Sequence, residues 1–444
     1  MHALSPRPVS RRPVAALLAL TLLCGLGGAG RLAAQSPAEL GPGAPQRGAP
    51  AVPPVSPPVA TSPGALVPAA ASAATPASPP RHKHPAPLGA GAAFAPSGEL
   101  WMVGLDAQSR LAVQTSADEG RSWSLPRRLD LGGDTLSADG ENRPKIAFGP
   151  GGQVVVSYTE PLSRPYSGRI RMLRSSDGGR SFSAPFTVHA DRQLITHRFE
   201  SIAFDARGRL HTVWIDKRDL EATGKASGYR GAAVYRNVSE DGGASFGPDI
   251  KLADHSCECC RIALAPTPEG GMAAMWRHVF APNQRDHAFA RLDGPAAPEP
   301  VRASLDRWAL DACPHHGPGL APAAGGGYHA VWFGERDGMA AVRYGRLDAE
   351  GRPQGEVLAL PDPYAEHADV VSAAEQVAIV WRSFDGQRTA LRAWLSGDGG
   401  RRFTLRELAA SPGENDHPRL LSRGGRLYAL WRTTSGVQLE ILVP

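Results

Sequence analysis

Cysteine is scarce in this chain: it has five in 444 residues. Cys24 falls in an N-terminal leader, and the four that remain cannot form the dense disulfide framework of a small secreted domain. Long apolar runs are scarce too. The leader run, residues 14–26, is too short for a membrane helix of about 20 residues, and no later stretch supplies a span. Charge of one sign is also missing. The formal balance is +5, but Arg7, Arg11, Arg12 and Arg31 all precede Ala34, with no acid among them. The rest of the chain keeps about +1, which implies no polyanionic partner such as nucleic acid. No segment shows a convincing amphipathic helical period, and strand lengths and turn residues favour β throughout.

The leader itself is informative. Arg7, Arg11 and Arg12 precede the apolar run and small residues lead to Ala33-Ala34, so residues 1–34 read as an export signal cleaved near Ala34. The expected destination is the periplasm or the exterior. Cys24 follows Leu22-Leu23, where a lipoprotein box wants a small residue directly before its cysteine; a cleaved signal is therefore favoured, with lipidation at Cys24 the alternative. Residues 35–87 are dominated by Pro, Ala, Gly and Ser, a composition that buries no core and reads as a disordered tether. Residues 88–444, rich in Val, Leu, Trp and Gly, are expected to form one large domain.

Within that domain one unit recurs: a short apolar strand, a Gly-containing turn, then an apolar strand usually ending in Trp or Tyr. The first strands contain Ala92-Ala93-Phe94, Ile146-Ala147-Phe148, Ile202-Ala203-Phe204, Ile262-Ala263-Leu264, Leu320-Ala321, Val370-Val371 and Leu420-Leu421. Seven units of about fifty to sixty residues result, at or above the usual length of propeller blades. Four units carry a further signature, S-x-D-x-G-x-x-[WF], at Ser116 to Trp123, Ser175 to Phe182, Ser239 to Phe246 and Ser396 to Phe403. In it the Asp accepts turn amide hydrogen bonds and Gly supplies a positive φ.

This signature resembles the Asp box, or BNR repeat, of the sialidase-like β-propellers. The resemblance covers residues 88–444 and implies an all-β propeller, with seven blades favoured and six, the usual sialidase number, as the alternative. It implies structural roles for Asp118, Asp177, Asp241 and Asp398 at the blade periphery. The seventh unit reaches Pro444 after three strands, so its outer strand is expected to be missing or supplied from near the N-terminus.

In such propellers the first strand of each blade lines the central channel. The entry segments read Glu141-Asn142-Arg143, His197-Arg198-Phe199-Glu200, Cys257-Glu258-Cys259-Cys260-Arg261, Cys313-Pro314-His315-His316, Glu366-His367-Ala368-Asp369 and Asn415-Asp416-His417. All four remaining cysteines thus stand at neighbouring entries, in register with histidines from other units. The candidate metal ligands are Cys257, Cys259, Cys260, Cys313, His315, His316, His197, His367 and His417. Thiolate and imidazole together suit copper(I), with zinc the alternative, rather than hard cations. His189, His211, His278, His287 and His329 read as surface or packing residues, and His82-Lys83-His84 as a copper(II) ligand set or as nothing.

Three functions follow as expectations. The first is a periplasmic copper-binding propeller that holds copper(I), reduces copper(II), or passes copper to a transporter or acceptor protein. It is similar to exported Asp-box propellers that look associated with copper handling. The second is an exo-sialidase. That family uses three arginines, a Tyr with a Glu, and an Asp, and carries R-I-P before its first Asp box; here no such segment precedes Ser116, although Arg143, Arg198, Arg261 and Arg419 lie near the entries. The third is a scaffold for protein binding in which the four cysteines form disulfides.

Overall fold

The computed structural model describes residues 87–224, 228, 231–294 and 298–443. The signal and the His82-Lys83-His84 reading, with all of the tether but Pro87, lie outside them. The second strand of each repeat has a mostly apolar, buried stretch, which in Leu100–Leu105 runs along its whole length. Such a run is stable only where both faces are covered, and neighbouring blades cover them.

Seven blades arise. Their inner strands are Gly91–Phe94, Lys145–Phe148, His197–Phe204, Ala263–Pro266, Gly319–Pro322, Ala365–Ala373 and Arg419–Arg423. In each blade the next strands pair antiparallel in sequence order. Each inner strand contacts the next and the last contacts the first, so the ring closes. Blade 7 has three strands among the described residues, and side chains close the seam. Phe94 packs on Tyr428 with ring centroids 5.0 Å apart, Tyr428 donates to Glu119 at 2.8 Å, and Arg432 reaches the Leu105 carbonyl at 2.6 Å.

The aromatic residue near the end of the second strand anchors each core. Trp214, Trp276, Trp381 and Trp431 are almost fully buried, each contributing on the order of 3 kcal/mol through apolar burial. Three of the seven blades cap a Trp N–H with an aspartate: Trp214 with Asp216, Trp332 with Asp306 and Trp381 with Asp362, at 2.6–2.8 Å.

The Asp boxes form tight local networks. Asp177 accepts from the Ser175 hydroxyl at 2.7 Å, the Ser181 amide at 3.0 Å and the Ser181 hydroxyl at 2.6 Å; Asp118 and Asp241 repeat this set. Asp398 keeps the Ser396 and amide bonds and takes Arg402 in place of the second hydroxyl. The box also touches the preceding blade. Gly179 (φ 83°) lies against Trp101 and Gly400 (φ 81°) against Tyr344, where a Cβ would collide.

Two features shape the channel mouth. The inner strands of blades 3 and 6 begin at His197 and Ala365, taking the entry segments into the sheet. Both carry a bulge opposite the core tryptophan, with positive φ at Phe199 (57°) and His367 (52°); such bulges re-aim side chains. Blades 3 and 4 are also joined, because Ser256 at the end of Ile250–Ser256 pairs with His278 of Met272–Phe280.

Candidate metal centre

That junction positions the first cluster. Directly after Ser256, the Cys257 amide donates to the Arg277 carbonyl at 3.0 Å, and the chain then turns through Cys259 and Cys260. The three sulfurs form a nearly equilateral triangle, with separations of 3.6, 3.8 and 3.8 Å. All three side chains are buried in an apolar shell that includes Phe199, Ile215, Leu252, Ile262 and Trp276. Three thiolates so placed could together hold a soft ion, whose bonds to thiolate run to about 2.3 Å.

Hydrogen bonds from Cys259, Cys260 and Cys313 hold Cys257 well below the usual thiol range against the cost of burial, and Arg277 adds to the effect. Those same contacts raise Cys259. Cys260 is raised by Cys257 first, then by burial. Cys257 is thus the thiol of the three whose ionisation its neighbours favour.

Cys313 is the exposed member. Its thiol interacts with Cys257 and Cys259 from outside the triangle, and none of the four cysteines is in a disulfide. Three residues on, the same loop supplies His316, whose carbonyl accepts from Arg277 at 3.0 Å. Arg277, almost fully buried, therefore ties the thiol triangle to a second cluster.

That cluster is a column of rings. Phe333 stacks on His316 at 4.4 Å, His316 on His367 at 4.3 Å and His367 on His417 at 3.4 Å. Glu141 lies beside it, with Oε1 at 3.2 Å from His367 Nδ1 and 3.5 Å from His417 Nδ1. Burial opposes its charge, but Arg261, at 3.1 Å, and the two imidazoles hold it well below the ordinary carboxylate range. Burial pushes His367 and His417 down, and His316 to about 3, which favours neutral imidazoles.

The other sequence candidates are placed differently. His315 is exposed at φ 56°. His197 stacks on His189 at 3.9 Å, with Nε2 at 3.2 Å from Asp191 and Nδ1 at 3.2 Å from the Gly168 carbonyl; its contacts are with blade 2 and its own loop. His287, read from the sequence as packing, is buried opposite Arg277 in the blade 4 ladder and feels the charge of Cys257. Its Nε2 has no hydrogen-bond partner. Glu141 was in register at its entry, yet only the fold reveals its neighbours.

Beneath the mouth the seven inner strands enclose a cavity of about 500 Å³, lined by Arg143, Lys145, Arg261 and Arg419 with Asp369. Each cation has a carboxylate: Asp416, Glu200, Glu141 and Asp369 respectively. No tyrosine lines this cavity among the described residues.

No protein-family profile matches the sequence, and no curated protein matches it. Solved structures do. An ulvan lyase of a new polysaccharide lyase family superposes with a TM-score of 0.51 at 12% identity, covering 80% of this chain and 94% of its own. A Hadza microbial sialidase gives 0.46 at 13% identity, over 78% and 73%. An α-L-arabinanase from Penicillium chrysogenum gives 0.44 at 13% identity, over 80% and 92%. No helix among the described residues is long and apolar enough to cross a membrane. By its seven antiparallel blades and its likeness to the ulvan lyase, which is one of fold alone, the chain is a β-propeller.

Proposed function

We propose that this chain is an exported propeller that binds copper(I) on Cys257, Cys259 and Cys260, with Cys313 as the exposed thiol through which the ion is exchanged with an acceptor protein. The sulfur triangle carries this reading. Three thiols at 3.6–3.8 Å in an apolar shell form a soft donor set, which selects copper(I) over hard cations. Zinc, which completes a tetrahedron with a fourth ligand, is the competing ion. An export signal at residues 1–34 would carry the chain to the periplasm or the exterior.

Copper(II) meeting the reduced cluster is reduced at the thiols' expense: two copper(II) ions take two electrons from two thiolates, which join as one disulfide. Such a step consumes donors of the triangle, so holding copper(I) is the primary role and reduction a consequence of arrival in the wrong oxidation state. The test is a titration of the reduced domain with copper(I) against a chromogenic competitor, beside a variant with all four cysteines changed to serine. A loss of affinity of a thousandfold or more supports the reading; equal affinity refutes it.

A further inference from the structure

The donors at the mouth differ in hardness and lie in two separate sets. We infer that Glu141, His367 and His417 form a second metal site, independent of the thiols, for a divalent ion of borderline hardness such as copper(II) or zinc.

Geometry is the first support. Metal bonds of about 2.0–2.2 Å to nitrogen and oxygen at tetrahedral angles put donor atoms about 3.4 Å apart. Glu141 Oε1 stands 3.2 and 3.5 Å from the two Nδ1 atoms, and the three donor atoms lie within 4.8 Å of one another. The second support is a poorly satisfied atom. His417 Nδ1 is buried and faces Glu141 Oε1 at 3.5 Å without a well-aligned hydrogen bond, and a buried polar atom so poorly satisfied is costly. Third, the outer contacts are those of a held ligand set. Arg261 fixes Glu141 through its side chain and its backbone amide, at 3.1 and 3.3 Å. The His417 amide donates to Asp416 at 2.7 Å, and the His367 amide to His316 Nδ1 at 3.4 Å. Such outer-shell bonds orient metal ligands.

Chemistry separates the two sets. One carboxylate and two imidazoles suit a divalent ion, whereas a triangle of buried thiols suits a monovalent soft one. On the far edge of His367, Nε2 faces Glu366 at 3.7 Å, and Glu366, His316 and His367 also lie within 4.8 Å of one another. His316 belongs to the loop that carries Cys313, so the short segment 313–316 links the two sites.

The test uses the variant with all four cysteines changed to serine, which leaves this second set intact. Titrated with zinc and separately with copper(II), it should take up one equivalent, and the copper(II) form should show nitrogen coupling from two imidazoles by electron paramagnetic resonance. Adding His417→Ala or His367→Ala should weaken binding at least tenfold while circular dichroism stays unchanged. The same histidine changes in the otherwise native protein should leave copper(I) uptake by the thiols in place, which separates failure here from failure of the thiol site. A folded serine variant that takes up no divalent ion overturns the inference. So does uptake insensitive to both histidine changes.

Discussion

Arg143 and Asp416, 273 residues apart, meet through two buried hydrogen bonds of 2.7 and 2.9 Å. Asp416 also accepts the Ala90 amide at 3.1 Å, so this pair joins the entries of blades 7 and 2 across the seam where the ring closes. Breaking a buried pair from one side leaves an uncompensated charge at a cost of about 3–5 kcal/mol. Asp416→Ala should lower unfolding free energy by that amount in urea melts, and a loss under 1 kcal/mol would show that the seam does not depend on it.

Arg277 donates to the His316 and Phe333 carbonyls at 3.0 and 2.7 Å, beside the thiol triangle. Arg277→Met strands these acceptors and should cost about 2–4 kcal/mol of stability. It should also weaken copper(I) binding, because the loop bearing Cys313 and His316 loses its side-chain anchor, although the Cys257 amide keeps its bond to the residue 277 carbonyl. Unchanged affinity in the folded variant would restrict Arg277 to a packing role.

Cys313 is exposed and the triangle buried, so their substitutions should separate kinetics from affinity. Cys313→Ser is expected to change equilibrium copper(I) affinity less than tenfold and to slow transfer to a chelator more than tenfold in stopped-flow measurements. Cys260→Ser should instead lower affinity at least a hundredfold. Identical behaviour of the two variants would contradict an exchange role for the exposed thiol.

The Asp boxes predict a pH dependence. Hydrogen bonds from Ser122 and Ser116 hold Asp118 down to about 2, those from Ser245 and Ser239 do the same for Asp241, and the Arg402 amide and Ser396 for Asp398. These folded values lie below the ordinary value of 3.8, so the stability they confer is complete above that value and is lost as pH falls through about 2. Asp398→Asn should melt below the native protein at pH 5, with the gap closing by pH 2. A gap of equal size at both values would exclude ionisation as its source.

Sialosides should not be cleaved. The cavity arginines are already paired with carboxylates and no tyrosine lines the cavity among the described residues. Hydrolysis of a fluorogenic sialoside, abolished by Arg419→Ala, would reverse this reading.

The repeat was legible because each second strand is covered on both faces and therefore mostly apolar, and because turn glycines and Asp boxes recur in phase with it. The seven inner strands could be aligned, and that register brought Cys257, Cys313, His316, His367 and His417 to one mouth. It did not say where a side chain points. His197 shares the register of Cys257, yet it lies inside a paired strand opposite Asp216, which aims its ring at blade 2, whereas Cys257 follows the end of its strand and turns freely. His287 follows Arg285 and Asp286 on the third strand of blade 4 and read as packing, because the sequence does not show that the charge of Cys257 reaches it. Glu141 gave no signal of its own, since its partners Arg261, His367 and His417 are brought to it by ring closure alone.

The two donor sets differ in how far along the chain they reach. Cys257, Cys259 and Cys260 fall within four consecutive residues, so gathering them closes almost no loop and costs little chain entropy. Glu141 and His367 are separated by 226 residues, and no unfolded chain holds them together. The three thiols can therefore be gathered before any blade has formed, while the carboxylate and imidazole set comes into being only when the last blade docks on the first.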